Sequence, residues 1–536
     1  MTEENRSFLL AILLSIAVLI GWNLFVAGPR IAEEQERIER EQRAAGGNQV
    51  PQAGDARPAT GDKAPAVTGD TQPATSAPAT LDATNPAAIT SAPSGIGQPI
   101  PSADTNGAPA ETREAAIAAG RRVAIETPSL TGSINLTGAL LDDLELTKYR
   151  ETTDPSSPPI RLLEPAASND TYYIEHGWAG GSGSIINGKT KWQAESRGPL
   201  TPSNPAVLIH RTADGLVFRR TITVDDNYMF TVRQEVENTS SEARSLFPYA
   251  FISREGEPEG ENIWILHEGL IGVSQKDGLT EVDYSDIIEE RRKVFEGTSG
   301  WIGITDKYWA AALIPDQGST FKAEMVGRRA GGQNFYQTNY ARASLPIAPG
   351  AKVSVDGRVF AGAKRADLIR AYEADLNLDR FNLMIDWGWF WFITKPLYIL
   401  LVAIYDVVKN YGLAIILVTV LIKIAFFPLA NKSYVSMSRM KKLQPEMERI
   451  RERFSDDRTR QQQAMMELYQ EEKINPMAGC LPILLQIPVF FALYKVLFVS
   501  IEMRHAPFFG WVQDLSAPDP TSIFNLFGLL PYDVPG

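Results

Sequence analysis

The sequence predicts a membrane protein in which an α-helical transmembrane core is joined to a large antiparallel β-sandwich domain. Hydrophobic residues make up 44% of the 536 residues, but they are unevenly distributed. Long apolar segments lie near both ends, and a long middle region contains short alternating strands separated by Gly, Pro and Asp turns. Apolar runs of about 20 residues can cross a bilayer as helices, and regularly spaced strands are typical of a sandwich.

The composition argues against several functional classes. A net charge of −12 is unlike that of a general nucleic-acid-binding protein. The single cysteine, Cys480, cannot form a disulfide within the chain. The histidines His176, His210, His267 and His505 lie far apart, without the spacing of metal ligands. We therefore expect no nucleic-acid substrate, no metal, no cofactor and no catalytic residues.

The N-terminal region predicts a membrane anchor followed by a tether. The apolar run from Phe8 to Val26 is longer than the h-region of a cleaved signal, so we interpret residues 1–30 as a signal-anchor transmembrane helix. Residues 31–117 are rich in Ala, Pro and Gly, and contain no Phe, Tyr, Trp or Met after Gly46. They cannot bury enough apolar surface to offset an ordering entropy of about 1–2 kcal/mol per residue. We expect a disordered tether.

The sequence pattern of residues 118–380 predicts the β-sandwich domain. The strand-like segments 220–224 and 228–232 flank Asp225-Asp226-Asn227, which predicts a hairpin. We expect one helix at about residues 364–374 to close the domain. Tryptophans on such strands can line a ligand cleft, although core packing is their commoner role.

The segment 387–408 is hydrophobic enough to span a membrane, but it contains Lys395, Pro396, Asp406 and an aromatic cluster. Aromatic clusters favour the headgroup level of the bilayer. A crossing here would carry the strongly basic loop that follows to the outer side, whereas such loops belong on the cytoplasmic side. We therefore expect an interfacial amphipathic helix on the outer surface.

Residues 411–429 predict a transmembrane helix that is apolar except for Thr419 and Lys423. An ammonium facing lipid there costs roughly 2.5–3.5 kcal/mol. Thr419 and Lys423 are one turn apart and share a face. Two interpretations remain open: this face lines a wet cavity that handles a polar substrate, or the long Lys423 side chain reaches the nearer interface.

Residues 430–476 predict a cytoplasmic helical hairpin with a turn at Ser455-Asp456-Asp457. Apolar residues at helical spacing predict one seam, formed by Met440, Leu443, Met447, Ile450 and Phe454. Basic residues next to a membrane favour contact with anionic lipid or ribosomal RNA, although a solvated face explains most charge runs. The candidate contact residues are Arg439, Lys441, Lys442, Arg449, Arg451 and Arg453.

Residues 478–500 predict the next transmembrane helix, which contains Pro482, Gln486, Pro488 and, near its far end, Lys495. Gln486 is a polar group that could face Lys423; packing between helices is the alternative. We expect residues 501–536 to form a loop on the outer side.

Short blocks of this region, in this order, resemble the YidC family of bacterial membrane protein insertases. The matching blocks are Leu443-Gln444-Pro445, Asp456-Asp457, Asn475-Pro476, Gly479-Cys480, Gln486-Ile487-Pro488, Phe491-Ala492-Leu493-Tyr494, Arg504-His505-Ala506-Pro507 and Asp514-Leu515. The upstream order of anchor, tether and β domain is similar to that of the Gram-negative branch of the family.

The resemblance implies a multi-pass protein of the inner membrane with a periplasmic β-supersandwich domain. It implies an insertase and chaperone, not an enzyme, that acts on nascent membrane proteins in the lipid bilayer, alone or with the Sec translocon. In the family a hydrophilic groove carries a positive residue, and Lys423 stands where the family usually has Arg. Thr419 and Gln486 match groove-lining positions, and the basic hairpin matches a loop that contacts the ribosome.

The family has two further transmembrane helices beyond the matching region, so we expect the sequence to be C-terminally truncated relative to it. The alternative function is that of a membrane protein whose periplasmic domain senses or transports a ligand. That alternative leaves the basic hairpin unexplained.

Overall fold

The computed structural model describes residues 112–168, 170–180, 183–258, 266–472, 481–510 and 512–517, all within one compact unit, Pro86–Gly536. The predicted signal anchor, most of the predicted tether, Cys480 and the end of the predicted outer loop lie outside these residues.

Twenty strands of the described residues form the β-sandwich domain. In chain order, β1 to β20 are Arg122–Glu126, Leu130–Asn135, Leu140–Arg150, Pro159–Leu163, Tyr172–Gly180, Gly183–Ile186, Gln193–Ala194, Ala206–Arg211, Leu216–Val224, Met229–Asn238, Arg244–Glu255, Gly269–Ser274, Gly278–Asp283, Arg292–Gly297, Gly300–Thr305, Trp309–Pro315, Phe321–Ala330, Gln333–Arg342, Leu345–Ile347 and Lys352–Ala363. Three helices accompany them: α1, Arg113–Ala118; α2, Tyr284–Glu290; and α3, Ala366–Asp375.

The strands form two antiparallel sheets. One has eleven strands, with the main order β1-β2-β3-β5-β11-β18-β17-β14, and the other has nine, in the order β13-β12-β15-β16-β20-β10-β9-β8-β7. The predicted antiparallel sandwich is therefore confirmed. The predicted hairpin is β9 and β10, with Val224 paired to Phe230. The Asp225 carboxylate stabilises its turn by accepting hydrogen bonds from the backbone N–H groups of Asn227 (2.9 Å) and Met229 (3.0 Å).

The domain core lies between the two sheets because alternate side chains of each strand point inward. Along β9, residues Leu216, Phe218, Arg220 and Ile222 are all buried, while the residues between them are half-buried. The large side chains of Trp178 and Trp301 are also fully buried in this core. These tryptophans pack the sandwich, and they do not line a surface cleft.

The predicted end of the tether at residue 117 is wrong, because the folded domain begins earlier, with α1. The guanidinium of Arg113 is buried and forms ion pairs with Asp143 and with Glu164, the latter at 2.8 Å. The Thr112 hydroxyl caps the helix by accepting a hydrogen bond from the N–H of Ala115 at 3.3 Å. Ion pairs to distant strands tie down a segment whose own composition suggested disorder. The predicted closing helix is confirmed as α3.

Among the described residues, five further α-helices follow the β domain: α4, Trp391–Val408; α5, Tyr411–Lys442; α6, Gln444–Arg453; α7, Arg458–Glu471; and α8, Leu481–Val499. Three of them, α4, α5 and α8, are long and apolar enough to cross a membrane, judged by length and composition. The interfacial position of α4 therefore stays a prediction. Its buried residues Thr394, Leu397, Tyr398 and Leu401 follow one helical face, whereas Phe392 and Ile399 on the opposite face are exposed.

Helix α5 is longer than predicted. It continues through Pro428 and ends at Lys442 instead of Leu429, so its length is about 48 Å at about 1.5 Å per residue. A bilayer core is about 30 Å thick, and α5 is therefore long enough to project beyond it.

The predicted single seam of the hairpin is interrupted at Leu443, because Pro445 lies in the first turn of the new helix α6 and cannot continue α5. The predicted cap is confirmed: Asp457 accepts hydrogen bonds from Thr459 and Arg460 at the start of α7.

Two charged residues of opposite sign lie near each other on strands of the two facing sheets. The Arg220 guanidinium is fully buried and donates hydrogen bonds to the carbonyl of His176 (2.6 Å) and to the side-chain oxygen of Gln234 (3.2 Å). Glu175 lies on β5 and accepts a hydrogen bond from the Tyr249 hydroxyl at 3.0 Å. Burial raises the pKa of Glu175 from 4.5 to about 7, although Tyr249 and Arg220 oppose the shift.

We predict that Glu175→Gln changes stability in a pH-dependent way. Because the pKa of Glu175 is higher in the folded state, the folded chain binds more protons between pH 4.5 and about 7, and the contribution of Glu175 to the free energy of unfolding decreases as the pH rises through that window. Relative to the parent chain, the substitution should therefore change the free energy of unfolding more favourably at high pH than at low pH.

The measurement is the thermal unfolding midpoint of both proteins in detergent at pH 5 and at pH 8. Comparing the two proteins removes the opposite contribution of His176, whose pKa burial lowers to about 3. A difference between the midpoints that is the same at both pH values would contradict the prediction.

Candidate functional site

The three long helices α4, α5 and α8 pack against one another, and burial along two of them is one-sided. In α5 the buried residues Gly412, Ala414 and Val418 lie near its beginning and Ser433 lies nearer the hairpin, whereas those of α8 lie near its end, from Ala492 to Val499. In contrast, residues 419–432 of α5 and 481–491 of α8 contain no buried side chain. We call these two exposed segments the open face.

The packed end of α5 depends on a close contact with the segment after α8. A Cβ atom at Gly412 would lie 2.1 Å from Cδ2 of Phe508, so this position has room only for glycine. The Asn410 side chain caps α5 by accepting a hydrogen bond from the N–H of Leu413 at 3.0 Å, and its amide donates to the carbonyl of Phe508 at 3.4 Å. The beginning of α5 is thus fixed by the chain that follows α8.

Lys423 lies on the open face, about 18 Å along the helix axis from Tyr411 at about 1.5 Å per residue. Its side chain is exposed, and no ion pair or hydrogen bond engages its ammonium within the described parts of the chain. Large apolar side chains surround it on the helix, among them Val420, Ile424 and Phe427, which are 45%, 63% and 67% exposed. An accessible cation therefore stands within an otherwise apolar surface.

The other two predicted groove residues are placed differently. The half-buried Thr419 lies one turn before Lys423, and its hydroxyl donates a hydrogen bond to the Ile415 carbonyl at 2.8 Å, so its proton is already engaged. Gln486 is half-buried on the exposed segment of α8. Among the described residues no hydrogen bond joins Gln486 to Lys423, and their predicted juxtaposition stays a prediction.

The hairpin presents its basic residues to solvent. The six candidate contact residues are all exposed: Arg439, Lys441, Lys442, Arg449, Arg451 and Arg453. The apolar sides of α6 and α7 face each other, since Leu468 is buried and the Tyr469 hydroxyl lies 3.9 Å from the sulfur of Met447. The apolar residues thus hold the hairpin together, and the cations remain available to a partner.

An ion pair that the sequence did not suggest joins the β domain to the membrane helices. The ammonium of Lys495 on α8 lies 2.6 Å from the carboxylate of Asp386, in the link before α4. The same carboxylate accepts backbone hydrogen bonds from His267 (3.1 Å) and Gly388 (2.9 Å). Burial alone would raise the pKa of Asp386, but the Lys495 charge and these donors outweigh it and hold the pKa below its usual value. The carboxylate is therefore ionised at neutral pH.

Contacts between rings and charges flank this ion pair. The ammonium of Lys307, in the turn between β15 and β16, lies 3.8 Å from the ring centroid of Phe498 on α8. The Arg504 guanidinium lies 5.5 Å from the ring centroid of Trp309. Together these contacts place the β domain at the same end of the helices at which α5 and α8 are packed.

Within the described residues, no group of three His, Cys, Asp or Glu side chains is placed to hold a metal ion. His176 is buried in the sandwich, His210 bonds the Lys191 carbonyl, and His267 bonds Asp283 at 2.7 Å. These histidines are held by structural hydrogen bonds or by burial.

Comparison with known proteins covers the whole chain. The family described as "YidC periplasmic domain" matches residues 122–400, and that described as "60Kd inner membrane protein" matches residues 403–532. A protein of Bradyrhizobium diazoefficiens is 45% identical, with 99% of this chain and 83% of the relative covered. One of Methylorubrum extorquens is 47% identical, with 100% and 83% covered. A third, of Brucella suis, is 48% identical, with 99% and 84% covered.

All three relatives are named membrane protein insertase YidC. Among solved structures, a galactose mutarotase-related enzyme from Lactobacillus acidophilus covers 45% of this chain and 97% of its own at 10% identity, with a TM-score of 0.32. A likeness this weak carries no argument about function.

We predict that Gly412→Ala destabilises the packed end of the helices. Alanine favours a helix over glycine by roughly 1 kcal/mol, but the clash with Phe508 should outweigh this gain, because overpacking costs about 1–3 kcal/mol. The measurement is the thermal unfolding midpoint in detergent. As a control, Phe508→Ala makes room for the methyl group, so adding Gly412→Ala to it should cause no further loss. If Gly412→Ala lowered the midpoint equally in the parent chain and in the Phe508→Ala chain, the contact with Phe508 would not be the cause.

Proposed function

The chain belongs to the YidC family of membrane protein insertases, and we propose that it inserts nascent proteins into the inner membrane along the open face of α5 and α8. The observation that carries this proposal is the accessible ammonium of Lys423 within an apolar helix surface. A lysine in such a helix normally needs a partner or water. An incoming substrate with an acidic tail would supply that partner.

The mechanism requires attraction and hydration, without covalent chemistry. At about 4 Å, a carboxylate and an ammonium attract each other by roughly 4 kcal/mol at an effective dielectric near 20. This attraction offsets part of the cost of moving one acidic side chain into the bilayer. Thr419 and Gln486 would supply further polar contacts for the passing chain, so that these two residues and Lys423 form the polar part of a groove whose remaining surface is apolar.

The packed ends of α5 and α8 support a direction for the movement of a substrate. The packed ends of α5 and α8 lie beside the β domain, which is periplasmic, whereas the open face extends toward the basic hairpin. We infer that substrates enter from the cytoplasmic side and leave laterally into lipid. A role as a chaperone for folding and assembly, alone or beside the Sec translocon, is consistent with a lateral opening of this kind.

The exposed cations of the hairpin support contact with the ribosome. Polyanionic RNA attracts Lys and Arg clusters strongly, and the binding depends on salt because counterions are released. The six candidate contact residues surround the end of α5 and the whole of α6, so a ribosome bound there would deliver the nascent chain next to the open face.

We predict that Lys423→Glu abolishes insertion of a single-span protein with an acidic outer tail, because the substituted carboxylate repels the tail. Lys423→Arg is the matched control and should preserve insertion, since it keeps the charge. The measurement is protease protection of the outer tail in reconstituted vesicles. Equal insertion by both variants would show that the charge at position 423 plays no part in insertion.

We also predict that the combined substitution of Arg449, Arg451 and Arg453 by Glu weakens co-sedimentation with translating ribosomes. The slope of log affinity against log salt should become shallower by about 0.7–0.9 for each phosphate that the variant no longer neutralises. The matched control replaces Glu446, Glu448 and Glu452 of the same helix by Gln and should retain binding. Unchanged binding and slope in the triple Glu variant would exclude these arginines as the ribosome-binding residues.

A further inference from the structure

The Asp386–Lys495 ion pair occupies a position where three parts of the chain meet. Lys495 is on α8, Asp386 is in the link between the β domain and α4, and His267 precedes β12 of the β domain. The charged side chains are largely shielded from water, with 10% of Lys495 and 22% of Asp386 exposed. A shielded pair of this kind depends on its partners far more than a surface pair does.

The geometry around the pair leaves little freedom for either partner. Gly388 adopts a positive φ of +71°, and a Cβ there would lie 3.4 Å from Cε of Lys495, so the lysine side chain passes closely over the link. Trp387 packs edge-on against Tyr398 of α4, with ring centroids 5.3 Å apart. The Tyr398 hydroxyl in turn donates a hydrogen bond to Glu502, just beyond α8, at 3.0 Å. The link, α4 and the end of α8 are thus connected to one another around the pair.

We propose that the Asp386–Lys495 pair is a fixed joint that positions the periplasmic domain on the outer end of α8 and keeps that end packed against α4 and α5. In this arrangement Lys495 is a positioning residue: it never touches the substrate, and it keeps the packed end closed while the open face stays accessible. The effect of the joint on insertion rests on the proposed function. The effect of the joint on the position of the β domain can be tested separately.

Lys423 and Lys495 therefore have opposite roles. Lys423 has an accessible ammonium, whereas the ammonium of Lys495 is held against a carboxylate by geometry. Removing either member of the shielded pair abolishes their attraction. If the pair is the joint, each single neutral substitution loosens the β domain, and the double substitution loosens it no further, because the attraction is already lost.

The experiment uses the full chain in lipid nanodiscs with Cys480 replaced by Ala. Spin labels are attached to cysteines introduced at Val294 on β14, which is 40% exposed, and at Phe490 on α8, which is 65% exposed. Pulsed electron paramagnetic resonance then measures the distance between the β domain and α8. The variants are Asp386→Asn, Lys495→Met and the double variant.

We expect one narrow distance distribution in the parent chain. In each single variant, separated orientations should be populated at least about tenfold more than in the parent, because the attraction between the two side chains is lost, and the double variant should resemble the single variants, because no further attraction remains to be lost. The matched control is the exposed pair Asp406 and Lys409, 3.2 Å apart with 64% and 66% of the side chains exposed. Asp406→Asn and Lys409→Met should leave the distribution unchanged.

The insertion assay on the same variants gives the functional result. Each single variant of the joint and the double variant should insert the acidic-tailed substrate less well than the parent chain does. A distribution that stays narrow in both single variants would overturn the joint, as would a double variant that recovers the narrow distribution or whose broadening equals the sum of the two single effects. If the distances change as expected but Lys423→Glu still inserts normally, the joint stands and the proposed insertion mechanism fails.

Discussion

The cost of removing a charged group from water governs how this protein is built. Arg220, Lys495 and Lys423 illustrate three ways in which a cation meets that cost. Arg220 is fully buried in the sandwich core and satisfied by carbonyl and amide oxygens. Lys495 is paired with Asp386. Lys423 is left exposed on the open face. The first cation lies within a domain, the second joins the β domain to α8, and the third is accessible among the described residues.

This division explains why the helices are packed at only one end. Where the β domain meets α8, charged and aromatic side chains of both parts are engaged, and small residues such as Gly412 and Ala414 allow close approach. Toward the hairpin, α5 and α8 carry exposed apolar residues and Lys423. A surface that is apolar with one accessible cation suits a passenger that is itself mostly apolar with a few acids.

Much of the fold could be predicted from sequence because its signals are local. The β9–β10 hairpin was predictable because alternating strands flank a turn rich in Asp and Asn, and α7 begins at a predicted Asp457 cap. Lys423 and the basic hairpin residues stood out because charge in an apolar run, or clustered beside one, is visible in the sequence. The end of α5 was placed too early, because the polar residues after Leu429 continue the same helix until Pro445 prevents it.

The sequence by itself determined the class of the protein: an apolar helical core, an antiparallel sandwich, a basic hairpin and a lysine within a membrane helix. Only the tertiary structure decided which charges are paired. Asp386 and Lys495 are 109 residues apart, and Arg113 reaches strands far along the chain. Periodicity describes neighbours along one helix or strand, so it cannot indicate which distant carboxylate a buried cation will meet. That pairing depends on how the elements pack, and it separates the lysine that connects domains from the lysine that stays accessible.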